Sequence, residues 1–163
     1  MRAFPIPGWW GPLIQRHLKR RFYPQTRKAT FSEREGFTEG DVRFFVSGVR
    51  KMNEYFTSER GSLPRNYFNQ KELRSGYAFY FLPVNALKVA TLLLSVPTKN
   101  ELSILDLGAW PGTSLLGGLS FFSRGGGVRR LRWTLVDQNR EILKEAVALH
   151  DEILKELPSL DSS

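Results

Sequence analysis

The chain of 163 residues contains no cysteine. This absence excludes disulfides and thiolate metal sites and favours a reducing compartment, so we expect a cytoplasmic protein. Mitochondria are the alternative, because the acid-free start also has one property of a transit peptide. Apolar runs are short as well: Lys88 interrupts the longest candidate for a membrane span, Ala86 to Val96. The sequence therefore predicts neither a metal site nor an association with a membrane.

Acidic residues are missing from the first 32 positions, which hold seven of the 24 Lys and Arg residues. The rest of the chain carries 17 basic and 16 acidic residues, so the net charge of +8 is concentrated in one arm, which we place at residues 1–36. A short basic helix is expected from Leu13 to Phe22. In one interpretation the arm binds nucleic acid, with rings such as Trp9 and Trp10 stacking on unpaired bases and arginines holding phosphates. In the other, its aromatic side chains pack onto the rest of the protein.

Residues 37–97 are predicted to be helical. Thr38 and Asp41 have the spacing of a capping-box variant, and apolar residues then recur at helical intervals, which predicts a helix over 39–57. A further helical stretch is expected to end at Pro83, which can also lie in the first turn of the next helix. That next helix, residues 84–94, is apolar almost all round, so we expect it to be buried.

Residues 98–163 follow a different pattern, in which short apolar runs alternate with longer amphipathic ones. The expected order is a strand, a helix, a strand and a helix, at residues 102–107, 113–122, 131–136 and 139–157. This order is typical of a parallel α/β unit. We therefore predict an α/β fold in which an N-terminal helical region precedes a partial Rossmann-like β-α-β-α unit.

A glycine-containing turn joins the first strand to its helix. Gly108 permits a tight turn, and Gly112 lets the backbone approach a ligand or a strand closely. Asp106 and Asp137 lie at the carboxyl ends of the two strands, where α/β sheets bind ligands, and a carboxylate there can accept hydrogen bonds from ribose hydroxyls. A dinucleotide fingerprint requires a third glycine that this loop lacks, and Pro111 suits a ligand without a phosphate to cradle. These features favour S-adenosylmethionine.

Two segments resemble the motifs of class I S-adenosylmethionine-dependent methyltransferases. Asp-Leu-Gly-Ala-Trp-Pro-Gly-Thr, residues 106–113, is similar to their first motif, and Val-Asp-Gln-Asn-Arg-Glu-Ile-Leu, residues 136–143, resembles their second. The resemblance implies a cofactor site formed by Asp106, Gly108, Ala109, Trp110, Gly112, Asp137 and Gln138. One residue departs from the pattern: Trp110 occupies a position where glycine is usual, and its indole could either stack on the ligand or fill the pocket.

A tyrosine- and proline-containing segment upstream narrows the resemblance. It contains Tyr77, Tyr80, Pro83, Asn85 and Lys88, and it looks like a segment of the ribosomal small-subunit methyltransferase-like family. The resemblance covers roughly residues 37–157 and only the N-terminal part of such proteins. It implies that the chain associates with ribosomal RNA or the small ribosomal subunit. The metal-binding cysteine cluster of many members is missing here.

Two strands are few for a Rossmann-like domain, and this bears on function. A two-stranded sheet is not self-sufficient, so we expect an exposed edge that favours a homodimer. The sequence also lacks an Asn-Pro-Pro-Tyr-like motif that would position a base amine, and no catalytic residue can be assigned. The first hypothesis is a methyltransferase, provided that the full domain is completed. The alternatives are an inactive ribosome-binding or assembly factor, a truncated methyltransferase fragment, or an unrelated interaction module.

Overall fold

The computed structural model describes residues 4–24, 36–57, 67–97, 99–124 and 128–157. Two parallel strands lie among helices, which confirms an α/β protein with a helical N-terminal part. In chain order the elements are α1 (Trp10–Phe22), α2 (Glu39–Thr57), a 3-10 turn (Tyr67–Asn69), α3 (Lys71–Gly76), a π turn (Tyr77–Phe81), α4 (Leu82–Leu93), β1 (Glu101–Leu107), α5 (Thr113–Phe122), β2 (Arg130–Val136) and α6 (Arg140–Glu156).

Helix α1 lies in the core. It begins three residues before the predicted start, because Pro12 falls in the first turn, where a missing N–H costs no hydrogen bond. Trp10, Phe22 and Tyr23 are at most 5% exposed. These three rings cannot stack on bases, so for them the packing interpretation is the correct one.

The positive charges of α1 are largely neutralised within the protein. Arg16 forms an ion pair with Glu156, and Arg21 Nε lies 2.7 Å from Glu145 Oε2, so both contacts join α1 to α6. Lys19 is buried, with Nζ 3.6 Å from a carboxylate oxygen of Asp41. The arginines and lysine at positions 2, 27 and 28 lie outside the described residues. The described part of the arm is therefore a structural element, and nucleic-acid binding by the arm stays a prediction.

The predicted boundaries at residues 36 and 97 do not separate hydrophobic cores. Leu13 and Leu18 of α1, Phe45 of α2, and Leu116 and Leu149 of the C-terminal part belong to one cluster and are essentially inaccessible to solvent. The division of the chain into residues 1–36, 37–97 and 98–163 stays a prediction.

Pro83 lies in the first turn of α4, as predicted, but the preceding helical stretch does not end there, so that part of the prediction is wrong. Residues Lys71–Leu93 form one uninterrupted helix that contains the π turn. Proline lacks an N–H and its ring crowds the carbonyl four residues earlier, and the wider π turn immediately before Pro83 accommodates both effects. The N–H of Leu82 donates to the carbonyl of Tyr77, five residues back.

Helix α4 is buried on one face only, which corrects the prediction that it is buried all round. Leu82, Ala86 and Ala90 are fully buried, whereas Leu92 is 58% and Val84 is 38% exposed. Packing on α5 explains the buried face: a Cβ on Gly117 would lie 2.3 Å from the carbonyl oxygen of Ala86.

The continuous Lys71–Leu93 helix also bears on the membrane prediction. It has 23 residues, and an 18-residue stretch within it has a mean hydropathy of 1.2, so it is long and apolar enough to cross a bilayer by length and composition. The core helix of a soluble protein passes the same test, and this helix packs against α2 and α5. The expected absence of a membrane association therefore stays a prediction.

Strands β1 and β2 are parallel and each begins one residue before its predicted start. Their register pairs Leu105 with Thr134 and Leu107 with Val136. One face of the sheet is covered by helices, and Trp133 of β2 lies on Gly118 of α5, where a Cβ would be only 2.0 Å from the indole.

The opposite face of the sheet is open to solvent. Leu105 and Leu107 are 61% and 71% exposed, and Val136 is 46% exposed. Within the described ranges, no third strand pairs with either outer edge. The expected homodimer through such an edge stays a prediction.

Helices α2 and α3 touch through glycines. A Cβ on Gly48 would lie 2.3 Å from the carbonyl oxygen of Glu72 and 3.0 Å from the nitrogen of Gly76. The two backbones are so close that no side chain fits between them.

We expect Gly48→Ala to destabilise the protein by about 1–3 kcal/mol or more, because the methyl group must push two backbones apart. Gly40→Ala on the same helix is the matched control: its nearest neighbour is Thr38 Oγ1 at 3.7 Å, so alanine should be neutral or stabilising by up to about 1 kcal/mol. Urea denaturation measures both. Equal stability of the Gly48→Ala and wild-type proteins would contradict the close approach.

The predicted capping box at the start of α2 is confirmed. The Thr38 N–H donates to Asp41 Oδ2 at 2.9 Å, and the Asp41 N–H donates to Thr38 Oγ1 at 3.2 Å. Tyr23 donates its hydroxyl proton to the same carboxylate. Burial alone would raise the pKa of Asp41, but the hydrogen bonds from Tyr23 and Thr38 and the nearby Lys19 outweigh it and leave the pKa below its ordinary value.

A lowered pKa in the folded state means that Asp41 stabilises the fold above its ordinary pKa of 3.8 and loses this effect as the pH falls through the folded value. We expect Asp41→Asn to cost about 1.5–3 kcal/mol at neutral pH, the usual range for hydrogen bonds to a charged group. The difference from wild type should shrink as the pH falls below 3.8. Urea denaturation across this range tests the claim, and a pH-independent difference would refute it.

Candidate functional site

The loop from Gly108 to Gly112 has an unusual backbone. Gly108, Trp110 and Gly112 have φ angles of 72°, 52° and 89°, in the left-handed region. Glycine is favoured at position 112 for two reasons: its φ angle is left-handed, and a Cβ there would lie 3.1 Å from Leu149 Cδ2. This geometry turns the chain sharply from β1 into α5, as the sequence predicted for Gly108. At Gly112 the close approach is to Leu149 and Ala146 of α6, and not to a strand.

The loop is fixed to the end of the neighbouring strand. The N–H groups of Gly108 and Ala109 both donate to the carbonyl oxygen of Val136, at 2.8 and 3.1 Å. The next residue, Asp137, accepts the N–H of Trp110 at 3.4 Å on one carboxylate oxygen and that of Asn139 at 2.8 Å on the other. The two motifs that were separate in sequence therefore meet directly. Each carboxylate oxygen keeps a further lone pair for a ligand.

A crevice of about 390 Å³ opens where the two motifs meet. This volume is within the usual range for small-molecule sites, about 300–1,000 Å³. The lining residues are Tyr67, Phe68, Gly108, Trp110, Val136, Asp137, Gln138 and Asn139.

Four of the predicted site residues line this crevice: Gly108, Trp110, Asp137 and Gln138. The other three do not. Asp106 accepts a hydrogen bond from the Ser114 hydroxyl and is directed to the first turn of α5. Ala109 is only 1% exposed, and Gly112 is buried beside Leu149.

Sequence reasoning missed the remaining wall of the crevice. Tyr67 and Phe68 come from the 3-10 turn, and Asn139 begins α6 by accepting the N–H of Glu141 at 2.9 Å. Asn139 also donates to the side chain of Asn69 at 3.1 Å, a contact between positions 70 residues apart. An asparagine directly before an amphipathic run is a signal that could have indicated the helix cap at Asn139. Nothing local indicated that the 3-10 turn would contact the start of α6.

Trp110 packs into an aromatic cluster beside the crevice and does not fill it. Its indole stacks on Tyr77 with ring centroids 4.5 Å apart and meets Phe68 edge-on at 5.0 Å and Phe56 at 6.0 Å. A left-handed non-glycine residue costs about 1–3 kcal/mol. Three aromatic pairs at about 0.5–1.5 kcal/mol each are enough to offset that cost.

The two tyrosines near the crevice are neutral. Burial, with contributions from Tyr77 and Asp137, raises the pKa of Tyr67 to about 12. Burial also raises the pKa of Tyr77, whose hydroxyl lies 3.0 Å from Thr113 Oγ1. Both phenols therefore keep their protons at neutral pH.

Among the described residues that line the crevice, Asp137 is the only acidic one, and none is Lys, Arg or His. An anion such as a phosphate finds no basic side chain among these described residues. The crevice is therefore suited to a neutral or cationic ligand with hydroxyl groups. No group of three or more potential metal ligands occurs in the described part of the chain.

Arg74 fixes the position of the 3-10 turn through its side chain. Its guanidinium donates to the carbonyl oxygens of Phe68 and Asn69 and lies 3.9 Å from Glu145 Oε1. Glu145 is 4% exposed and also binds Arg21 of α1. The aromatic wall of the crevice is thus attached to α1 and α6 through a buried carboxylate.

We expect Arg74→Met to destabilise the protein by about 1–3 kcal/mol, because Glu145 loses one of two cationic partners and two carbonyls lose their donor. Lys51→Met, which breaks the exposed ion pair of Lys51 with Glu72, is the control and should cost less than about 1 kcal/mol. Urea denaturation compares them. If both variants lose the same stability, the buried network does not hold the turn.

Comparison with known proteins identifies no relative of this chain. No protein-family model matches the sequence, no curated protein matches it, and no solved structure matches the fold.

Proposed function

We propose that this chain binds S-adenosylmethionine in the crevice between the Gly108–Gly112 loop and Asp137, as a methyltransferase-like protein with a Rossmann-like half-domain. The direct contact between the loop and Asp137 carries this proposal. It places a glycine turn, a helix start and a carboxylate around one cavity, which is the arrangement that binds an adenosine at the carboxyl ends of parallel strands. The lack of basic side chains among the described lining residues favours S-adenosylmethionine over phosphate-containing nucleotides.

The substrate side of the proposal rests on the resemblance of the segment from Tyr77 to Lys88. We propose ribosomal RNA or the small ribosomal subunit as the partner, in the cytoplasm or alternatively in mitochondria. No residue is assigned to methyl transfer itself.

A second candidate is a binding role in ribosome assembly without catalysis. The sequence favours it, since no Asn-Pro-Pro-Tyr-like motif is present to position a base amine. The two candidates share the cofactor site and differ in whether radiolabelled methyl groups from S-adenosylmethionine appear in small-subunit RNA.

Calorimetric titration with S-adenosylmethionine tests the shared site. We expect binding by the wild-type chain and about 10- to 100-fold weaker binding by Asp137→Asn, because the amide keeps the turn with Asn139 but loses charged acceptors for the ribose hydroxyls. Asp151→Asn is the matched control, since Asp151 lies on the exposed side of α6 and does not line the crevice.

Two results would contradict the proposal. One is the lack of any binding by the wild-type chain. The other is equal affinity of the wild-type and Asp137→Asn proteins, which would mean that the ligand binds elsewhere.

A further inference from the structure

Trp110 both belongs to an aromatic cluster and lines the crevice. Its indole stacks on Tyr77 with an interplanar angle of 28° and is nearly perpendicular to Phe68, at 83°. These contacts fix the position of the ring, so that Trp110 forms an aromatic wall of the crevice.

A carboxylate lies next to this wall. The N–H of Trp110 is 3.4 Å from Asp137 Oδ2, so the start of the indole side chain and the carboxylate are held together by the backbone. Tyr67 and Phe68 add two further rings to the same crevice. Aromatic faces carry negative electrostatic potential and tryptophan is the strongest cation–π partner, so rings and carboxylate together attract a positive charge.

The geometry points to recognition of charge at this site: the ring of Trp110 binds the cationic sulfonium of S-adenosylmethionine in preference to the neutral thioether of S-adenosylhomocysteine, and the nearby carboxylate of Asp137, which accepts the ribose hydroxyls, adds to the attraction. This inference rests on the proposed function. It also gives a physical reason for tryptophan at a position that usually holds glycine. A site of this kind releases its product once the methyl group has left, because the product no longer carries the positive charge.

The alternative role for the ring is to stack on the adenine. Both ligands contain the same adenine, so loss of a stacking ring would weaken their binding by the same factor. Loss of a cation–π partner would weaken the binding of the cation alone. The ratio of the two affinities therefore separates the roles, and it cancels any distortion of the site that affects both ligands equally.

The experiment titrates the full chain with S-adenosylmethionine and with S-adenosylhomocysteine in a calorimeter. Trp110→Leu keeps an apolar side chain without a π face, and Trp110→Phe keeps a weaker one. We expect the preference for the cation to fall by about 3- to 30-fold in Trp110→Leu and by less in Trp110→Phe. Tyr80→Leu, at an exposed ring outside the crevice, is the control and should leave the preference unchanged.

Replacing tryptophan with fluorinated tryptophan gives a second measurement that does not depend on the folding of a variant. Fluorine withdraws electron density from the ring with little change in shape, so the preference for the cation should decrease. Of the four tryptophans, Trp110 is the one that lines the crevice.

Each outcome has one meaning. An unchanged affinity ratio in Trp110→Leu and with fluorinated tryptophan overturns the inference, whether or not the two affinities fall together. These results leave the proposed function intact. If the wild-type chain binds neither ligand, the proposed function itself fails.

Discussion

A buried carboxylate, Glu145, joins the parts of this protein that are far apart in sequence. One of its oxygens binds Arg21 of α1 and the other lies near Arg74 of α3, and only 4% of the residue is exposed. A buried charge with a missing partner is costly, by about 3–5 kcal/mol, whereas an apolar contact tolerates small shifts. The pairing therefore fixes how the first helix, the central helix and the last helix meet more strictly than hydrophobic packing alone.

The pairing of Glu145 with Arg74 also affects the candidate site. Its floor is the strand-loop-helix unit, but its wall is the 3-10 turn that Arg74 holds through two backbone carbonyls. The aromatic cluster on Trp110 draws on Phe56, Phe68 and Tyr77, all from the helical half of the chain. The helical region is thus part of the site and does more than cover the sheet.

Local chemistry made part of this structure predictable. The capping box at Thr38, the strand-turn-helix at Gly108 and the α/β order depend on neighbours in sequence, and all are present. Failures came where a distant contact overrides a local tendency. The prediction of a helix end at Pro83 did not anticipate the π turn. The crevice wall formed by Tyr67 and Phe68 depends on a contact between Asn69 and Asn139, which no local sequence pattern indicates.

The π turn also changes the phase of the helix that contains it. Two neighbouring residues, Tyr77 and Ala78, are buried at the start of the π turn. Tyr77 lies four positions after the buried Leu73, Ala78 lies four positions before the buried Leu82, and Ala86 and Ala90 follow at further intervals of four. In a regular α-helix one extra residue rotates everything beyond it by about 100°. The wide turn absorbs this rotation, so that Tyr77 faces Trp110 while Ala86 still faces α5. A one-residue deletion here would straighten the hydrogen-bonding pattern but set the two halves of the helix out of step with their separate partners.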